Sequence, residues 1–406
     1  MHESRPFLKT NDAVLGGQPA HPQSSAVSNA VLGGMQGLKV RLESEDEGVR
    51  LTALSDTLQY GSGGIDLAIA ALNDPCSHVC WSAYRLLRRY LEEQNRSDLK
   101  VLLALRSYNP WQLFTSLATI QAHISEVSAL DVSPDGKTLV SGSCDKTLAV
   151  WDTIRGEQLH SLVYHSDWVS AVAILGDGKT IASGSRDRTI NLWHLKTGRL
   201  LRTMMDRAHF ITALALTPDD KIVISGGIDC TLHLWDAATG QLLQTFPGTV
   251  NAIETLAIDT SGRFIASGHG NGVIQIWDLA SGSSCRHFRA HGDRISGLCW
   301  SRDGRTLLSC STDKTLGVWD LATEQLKHRF FGHLGEVNAF CLSPDEQTIF
   351  SGGSDKTIRI WDLRTKRLQY GLTGHLDSVI SVAIAPQGDK LFSGSRDGTI
   401  KIWGVR

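Results

Sequence analysis

The chain has 406 residues, of which 41% are hydrophobic and 20% charged, and its formal net charge is −2. This length and composition are those of a soluble globular protein with one large and one small domain. The near-neutral charge provides no basic footprint, so we expect no nucleic-acid partner. No apolar run approaches the roughly 18 residues of a spanning helix, so we expect no membrane span; peripheral association stays open.

The chain start and the cysteines both bear on the cellular compartment. The first six residues, Met1 to Pro6, lack the apolar core of a signal peptide. The eight cysteines contain no Cys-x-x-Cys pair and show no framework spacing. A reducing compartment suits such cysteines, and we expect a cytoplasmic protein.

Residues 1–34 are rich in Gly, Pro, Ser and Asn, which predicts a flexible segment. The phrase Ala-Val-Leu-Gly-Gly occurs there twice, at 13–17 and at 30–34. The repeat fits a duplicated linker. It also fits a short docking segment that binds a partner or packs back on the chain.

Residues 35–110 are predicted to be helical. Apolar residues follow i, i+4, i+7 spacing at Val79, Ala83, Leu86, Leu87 and Tyr90. Three apolar positions recur 30 residues later, Leu42, Val49 and Ala53 matching Leu72, Val79 and Ala83. Asp74-Pro75 predicts the start of the second of these helices, and the glycine-rich stretch 61–64 predicts a turn.

The rest of the chain, 111–406, is dominated by one repeat. Seven tryptophans stand 42 residues apart: Trp151, Trp193, Trp235, Trp277, Trp319, Trp361 and Trp403. So strict a period indicates one supersecondary unit copied seven times and stacked.

Each tryptophan has polar companions at fixed distances. An acid or its amide lies six residues before it, at Asp145, Asp187, Asp229, Asn271, Asp313, Asp355 and Asp397. A serine lies four residues earlier still, at Ser141, Ser183, Ser225, Ser267, Ser309, Ser351 and Ser393. A histidine precedes the tryptophan by 28 residues at His123, His165, His291, His333 and His375, and by 26 at His209.

Each unit reads as four short strands. Thr357 to Trp361 alternates in a way typical of a strand buried on both faces, and Pro-Asp-Gly or Thr-Gly turns divide the remainder. Four strands in about 42 residues make one blade of a propeller. Because three residues follow Trp403, we expect the segment 111–120 to supply the closing strand of the last blade.

These residues resemble the WD-repeat β-propellers over roughly residues 115–406. Gly332-His333 and Gly374-His375 match the family's Gly-His pair, and five Trp-Asp pairs, such as Trp361-Asp362, match its other signature. The resemblance implies a mainly β fold, a seven-bladed propeller preceded by a small helical domain. It also implies that His, Asp, Ser and Trp of each repeat form a buried hydrogen-bonded tetrad.

The fourth unit departs from this pattern. Thr249 stands in place of the histidine and Asn271 in place of the aspartate. We expect an incomplete network and a softer blade, with His269 as a partial substitute.

The helical segment is similar to the short HEAT-like repeats found beside bilin lyases. A solenoid of two units needs another surface to cover its ends, so we expect it to pack on the propeller rim. The combination of leader, HEAT-like units and propeller looks cyanobacterial.

Recurring Ser, His and Asp invite comparison with a hydrolase triad. Six complete copies would mean six active sites, whereas a buried network explains the same residues without further assumptions. The remaining histidines are scattered singly along the chain. Cys76 and Cys80 lie one helical turn apart and are interpreted as core residues. A role as metal ligands or in bilin attachment is the alternative. We therefore expect no enzyme activity, cofactor or metal.

A binding surface is expected on the face where the His loops and Asp turns emerge. In the related family this face presents the residues three and five after each His and the one before each Asp. Those selected are Glu126, Trp168, Arg186, Phe210, Ile228, Glu254, Arg294, Glu336, Asn338 and Arg396. Aromatic residues and arginine dominate interface hot spots, which favours blades two and three. Alternatively, Trp168 and Phe210 cover the channel mouth.

The sequence therefore predicts a non-catalytic scaffold or adaptor, monomeric alone, that binds protein or peptide partners through this top face. An assembly or chaperone-like factor for a photosynthetic or pigment complex is the first alternative. A propeller enzyme is the second.

Overall fold

A computed structural model describes residues 34–94, 98–205, 210–248 and 251–406. The expectations for residues 1–33, including the first Ala-Val-Leu-Gly-Gly phrase and most of the second, lie outside this part of the chain. So do those for His209 and Thr249.

Within the described residues, five helices precede the strands: α1 (Gly34–Leu42), α2 (Glu47–Asp56), α3 (Gly61–Ala70), α4 (Ser77–Glu93) and α5 (Leu99–Ser107). Short 3-10 turns lie at Thr57–Tyr60, Ala71–Asn73 and Pro110–Leu113. Aspartates cap two of the helices, because Asp46 accepts the N–H groups of Gly48 and Val49 and Asp98 those of Lys100 and Val101. Among the described residues, no helix combines the length and apolarity needed to cross a bilayer.

Two details of the helical prediction were wrong. The glycine-rich stretch 61–64 forms the first turn of α3, where a Cβ on Gly64 would lie 1.8 Å from the Thr57 carbonyl oxygen. Pro75 precedes α4, which begins two residues later at Ser77. A glycine-rich composition is compatible with both a turn and the first turn of a helix, and here tertiary packing selects the helix.

Twenty-eight strands follow in the part of the chain that the structure describes. The first, β1 (Phe114–Gln121), precedes the blades. Blade one comprises β2 (Val127–Val132), β3 (Thr138–Ser143), β4 (Thr147–Asp152) and β5 (Gln158–Val163). Blade two comprises β6 (Val169–Ile174), β7 (Thr180–Ser185), β8 (Thr189–His194) and β9 (Leu200–Met205). Blade three comprises β10 (Ile211–Leu216), β11 (Ile222–Gly227), β12 (Leu232–Asp236) and β13 (Leu242–Phe246).

Blade four comprises β14 (Ile253–Ile258), β15 (Phe264–His269), β16 (Val273–Asp278) and β17 (Ser283–Arg289). Blade five comprises β18 (Ile295–Trp300), β19 (Thr306–Ser311), β20 (Thr315–Asp320) and β21 (Gln325–Phe331). Blade six comprises β22 (Val337–Leu342), β23 (Thr348–Gly353), β24 (Thr357–Asp362) and β25 (Arg367–Thr373). Blade seven contains β26 (Val379–Ile384), β27 (Lys390–Ser395) and β28 (Thr399–Val405).

The ring is closed by the first strand. β1 pairs antiparallel with β28 and becomes the outer strand of the seventh sheet, with Phe114 opposite Val405 and Gln121 opposite Thr399. Each of the seven sheets therefore has four strands. The sequence prediction of a mainly β, seven-bladed propeller with a small helical segment is confirmed.

Small residues let neighbouring blades pack closely. A Cβ on Gly226 of β11 would lie 2.6 Å from Ile253 Cγ2 of the next blade, and a Cβ on Gly394 would lie 2.6 Å from Val127 Cγ1. Blade five has Cys310 at this position, and its cross-strand partner is Gly297. The extra volume of the thiol is thus accommodated by a glycine within the same sheet.

The helical segment shares a hydrophobic core with blades six and seven. Trp111 packs with its ring centroid 5.5 Å from Trp81, 5.1 Å from Phe114 and 5.1 Å from Phe350 of β23. One cluster of buried side chains runs from α3 and α4 into both blades. At its edge, Arg88 pairs with Asp345 at 3.0 Å. The helices are therefore an integral part of the propeller wall.

Candidate interaction surface

Five blades contain a complete tetrad. In blade one, His123 Nδ1 lies 3.0 Å from Asp145 Oδ2, and His123 Nε2 lies 2.8 Å from Ser141 Oγ. The indole N–H of Trp151 donates to the same Oγ at 2.9 Å. The same contacts recur around His165, His291, His333 and His375.

The donors and acceptors form a directed relay. The indole N–H donates to the serine Oγ, whose O–H donates to Nε2, and Nδ1–H donates to the carboxylate. Burial lowers the pKa of His123 and of His375 against the opposing effect of their aspartates, which favours this neutral imidazole. The five serines are fully buried. They brace the fold and cannot reach an external substrate.

A threonine completes each network and was missed by sequence reasoning. In blade seven the Thr399 hydroxyl donates to Asp397 Oδ1 at 2.6 Å, and the Thr399 N–H donates to the same oxygen at 2.9 Å. Burial alone would raise the pKa of Asp397, but these bonds and the Leu376 N–H lower it to about 2. The signal was present, since threonine recurs two residues after Asp145, Asp187, Asp229, Asp313, Asp355 and Asp397.

Blade four keeps the relay with a different histidine. Trp277 donates to Ser267 Oγ at 2.9 Å, Ser267 Oγ lies 3.0 Å from His269 Nε2, and His269 Nδ1 lies 3.0 Å from the carbonyl oxygen of Asn251. A main-chain carbonyl thus replaces the carboxylate. Asn271 accepts the N–H of Val273 instead, so it fixes the turn.

Blade three is described without its predicted histidine, His209. Trp235 donates to Ser225 Oγ at 2.9 Å, as in the other blades. The Thr231 hydroxyl bonds to Asp229 and lies 2.8 Å from Nε2 of His233. His233, two residues before the tryptophan, therefore extends the polar network of this blade.

The top face carries an exposed patch on blades two and three, here called the aromatic patch: Trp168, Arg186, Phe210 and Ile228. The guanidinium of Arg186 stacks 4.3 Å from the Trp168 ring centroid. Phe210 lies beneath Arg188 at 6.0 Å. Trp168 is 42% exposed, Phe210 37% and Ile228 46%, so these apolar side chains are reachable from solvent.

Four of the predicted charged residues form ion pairs between adjacent blades. Arg396 of blade seven lies 3.0 Å from Glu126 of blade one, and Arg294 of blade five lies 3.5 Å from Glu254 of blade four. Glu336 is exposed on blade six. The face therefore presents both signs of charge, partly neutralised in pairs.

Asn338 differs from the other selected residues. It is half-buried, and its amide donates to the carbonyl oxygen of Val379 in the next blade at 2.8 Å. Ser128, Ser170, Thr212 and Ser296 make the corresponding bond in their blades. The position five residues after the histidine thus ties blades together.

Three exposed aliphatic residues were missed by sequence reasoning. Ile124, Leu334 and Leu376 directly follow the tetrad histidines of blades one, six and seven and are 96%, 80% and 81% exposed. These three neighbouring blades form a second apolar region, here called the aliphatic triad. The residue directly after each histidine can be located from the repeat. The family resemblance, however, indicated only the positions three and five after the histidine and the one before the aspartate.

The comparisons with known proteins agree with this architecture. The family model described as the IFT122 first beta-propeller matches residues 126–404. The chain belongs to this β-propeller family. All seven blades lie within or directly beside the matched range, whereas the helical segment precedes it.

The curated relatives match over shorter stretches. Mitochondrial division protein 1 of Aspergillus niger is 27% identical over 121 residues, 30% of this chain and 18% of that protein. Protein Mut11 of Chlamydomonas reinhardtii is 38% identical over 53 residues, 13% of this chain and 14% of its own length. Mitochondrial division protein 1 of Neosartorya fischeri is 37% identical over 71 residues, 18% of this chain and 10% of that protein. The chain thus spans less than a fifth of each of these relatives.

Proposed function

We propose that this protein is a non-catalytic scaffold that binds protein or peptide partners through the top face of its propeller. The observation that carries the proposal is the stacked Trp168–Arg186 pair, held in the open on that face. A large apolar side chain exposed in this way gains free energy when a partner covers it.

The aromatic patch is suited to a partner because its frame is rigid. The Arg186 N–H donates to the Trp168 carbonyl oxygen at 2.9 Å, and both residues flank the tetrad of blade two. Little conformational entropy remains to be lost on binding, which favours affinity. If Trp168 and Phe210 instead covered the channel mouth, their own loops would bury both side chains, whereas they are 42% and 37% exposed.

The charges favour a protein over a polyanion. Arg396 and Arg294 are paired with glutamates, and Glu336 adds a further negative charge nearby. A polyanion would need an uncompensated positive field to drive its association. A protein surface with apolar anchors and mixed charges matches this face better.

Two further parts of the proposal concern location and the helical segment. No disulfide joins the eight cysteines, all of which lie in the described part of the chain, and this suits the cytoplasm. We propose that the HEAT-like segment serves mainly to brace blades six and seven, because its buried aromatic residues pack into them. A role in assembling a pigment or photosynthetic complex stays a prediction of the sequence resemblance.

A pull-down from the native host compares two halves of the same face. Trp168→Ala with Phe210→Ala removes the aromatic anchors, and we expect a defined partner to be lost. Leu334→Ala with Leu376→Ala is the matched control, since it removes a similar exposed apolar area on blades six and seven. Unchanged partners for the first variant, or equal losses for both, would refute the aromatic patch as the site.

A further inference from the structure

Three side chains of different chemistry meet where the first turns of α2 and α4 lie side by side. Glu47 is the first residue of α2, Cys76 occupies the N-cap position of α4 without a side-chain capping bond, and His78 is the second residue of α4. One ligand atom from each, a carboxylate oxygen, a thiol sulfur and a ring nitrogen, lies within 4.8 Å of the other two. The Glu47 and His78 side chains are about half exposed.

The surrounding polar groups are engaged elsewhere. Cys80, one turn further along α4, is buried, and its thiol donates to the Asp74 carbonyl oxygen at 2.9 Å. The Asp74 carboxylate pairs with Arg50 at 3.1 Å. The two cysteines therefore differ: Cys80 is a core residue, and Cys76 is free to face Glu47 and His78.

We propose that Glu47, Cys76 and His78 bind a divalent transition-metal ion of the zinc class. Thiolate and imidazole select zinc-like ions over calcium or magnesium. With zinc–ligand distances of about 2.0–2.3 Å, tetrahedral geometry separates ligand atoms by about 3.3–3.7 Å. Glu47 Oε1 and His78 Nδ1 now lie 2.9 Å apart, so a small rotation of two exposed side chains opens the site.

The local charge favours a cation. Glu43, Glu45 and Asp46 precede Glu47 and make this corner of the helical segment acidic. On binding, the Cys76 thiol releases its proton to solvent, and the imidazole coordinates through an unprotonated Nδ1. Water fills the fourth position.

The expected consequence is a link between two helices. Glu47 belongs to α2 whereas Cys76 and His78 belong to α4, so one ion would fasten the two first turns together. Metal binding that requires the folded arrangement stabilises that arrangement. The inference is independent of the top face, because the cluster lies in the helical segment.

The test uses the full-length, reduced and metal-free protein titrated with Co²⁺ and then Zn²⁺. We expect a thiolate-to-cobalt charge-transfer band that Zn²⁺ abolishes. Cys76→Ser should lose the band, and His78→Gln and Glu47→Gln should each weaken Zn²⁺ affinity by at least about tenfold. Cys285→Ser and Glu93→Gln are matched controls, an exposed thiol and an exposed acid at the far end of α4, and should bind as the wild type does.

The absence of a charge-transfer band in the wild type, or a band that persists in Cys76→Ser, would overturn the proposal. Folding failure is separable, because serine preserves the capping position and the other two substitutions lie on half-exposed side chains. A circular dichroism spectrum for each variant verifies this. Equal Zn²⁺ affinity in His78→Gln and in the controls would also refute the site.

Discussion

Trp111→Ala should destabilise the helices and blade six together. Trp111 is 6% exposed and touches aromatic rings from α4, β1 and β23. An aromatic side chain buries about 150–250 Å², worth about 4–6 kcal/mol at about 25 cal/mol/Å². Truncations of this kind cost about 3–5 kcal/mol because the cavity partly collapses. We expect a loss in that range.

Hydrogen exchange followed by mass spectrometry measures this loss at each element. Because each 1.4 kcal/mol is a factor of about ten, amides of α4 and of β23 should both exchange about two to four orders of magnitude faster. Leu103→Ala, on the exposed side of α5, is the control and should change protection by less than about 0.5 kcal/mol. Faster exchange in α4 with unchanged protection in β23 would refute the shared core.

Three further predictions concern the polar networks. Burial lowers the pKa of His269 below its ordinary value, so the unfolded chain takes up a proton that the folded blade refuses. The stability of blade four should therefore fall as the pH drops below about 6.5, and the protection factors of amides in β14–β17 should fall with it. Equal protection factors at high and low pH would contradict this. The pKa of Asp397 is lowered to about 2, so about 2 kcal/mol of unfolding free energy should be lost as the pH falls from about 4 to 2. In thermal melts over this pH range, the melting temperature of Asp397→Asn should fall less than that of the wild type. Asn338→Ala should cost about 1 kcal/mol in denaturant unfolding yet leave partner capture intact; a lost partner would return Asn338 to the binding surface.

The architecture could be predicted from the sequence because its period is strict. One Trp, one Ser and one Asp or Asn recur at fixed distances, and a buried indole N–H must find an acceptor. The resemblance to WD-repeat propellers implied which acceptor that is, and in the structure the Trp151 indole N–H donates to Ser141 Oγ. The helical segment lacked such a constraint. Its glycines at 61–64 suggested a turn, whereas packing against Thr57 selected a helix with no room for a side chain at Gly64.

The binding surface could be predicted only in part. Trp168 and Arg186 are exposed and stack on each other, although they lie in two different loops of blade two, before β6 and between β7 and β8. Asn338 could equally face solvent or bridge two blades, since an amide serves both purposes, and only the position of the Val379 carbonyl decides. Similarly, His269 was expected as a partial substitute for the missing histidine of blade four and does contact Ser267, but its main-chain partner, the carbonyl oxygen of Asn251, was not predicted.

The tetrad aspartates connect the frame to the surface. In blade seven, Asp397 Oδ1 accepts both the N–H and the hydroxyl of Thr399, and Oδ2 accepts His375 Nδ1 and the Leu376 N–H. All four acceptor sites of the carboxylate are thereby used. The last of these bonds fixes the backbone of the exposed Leu376. A buried network thus pre-organises the residue after each histidine, so changes at that residue alter the surface while the frame beneath it stays intact.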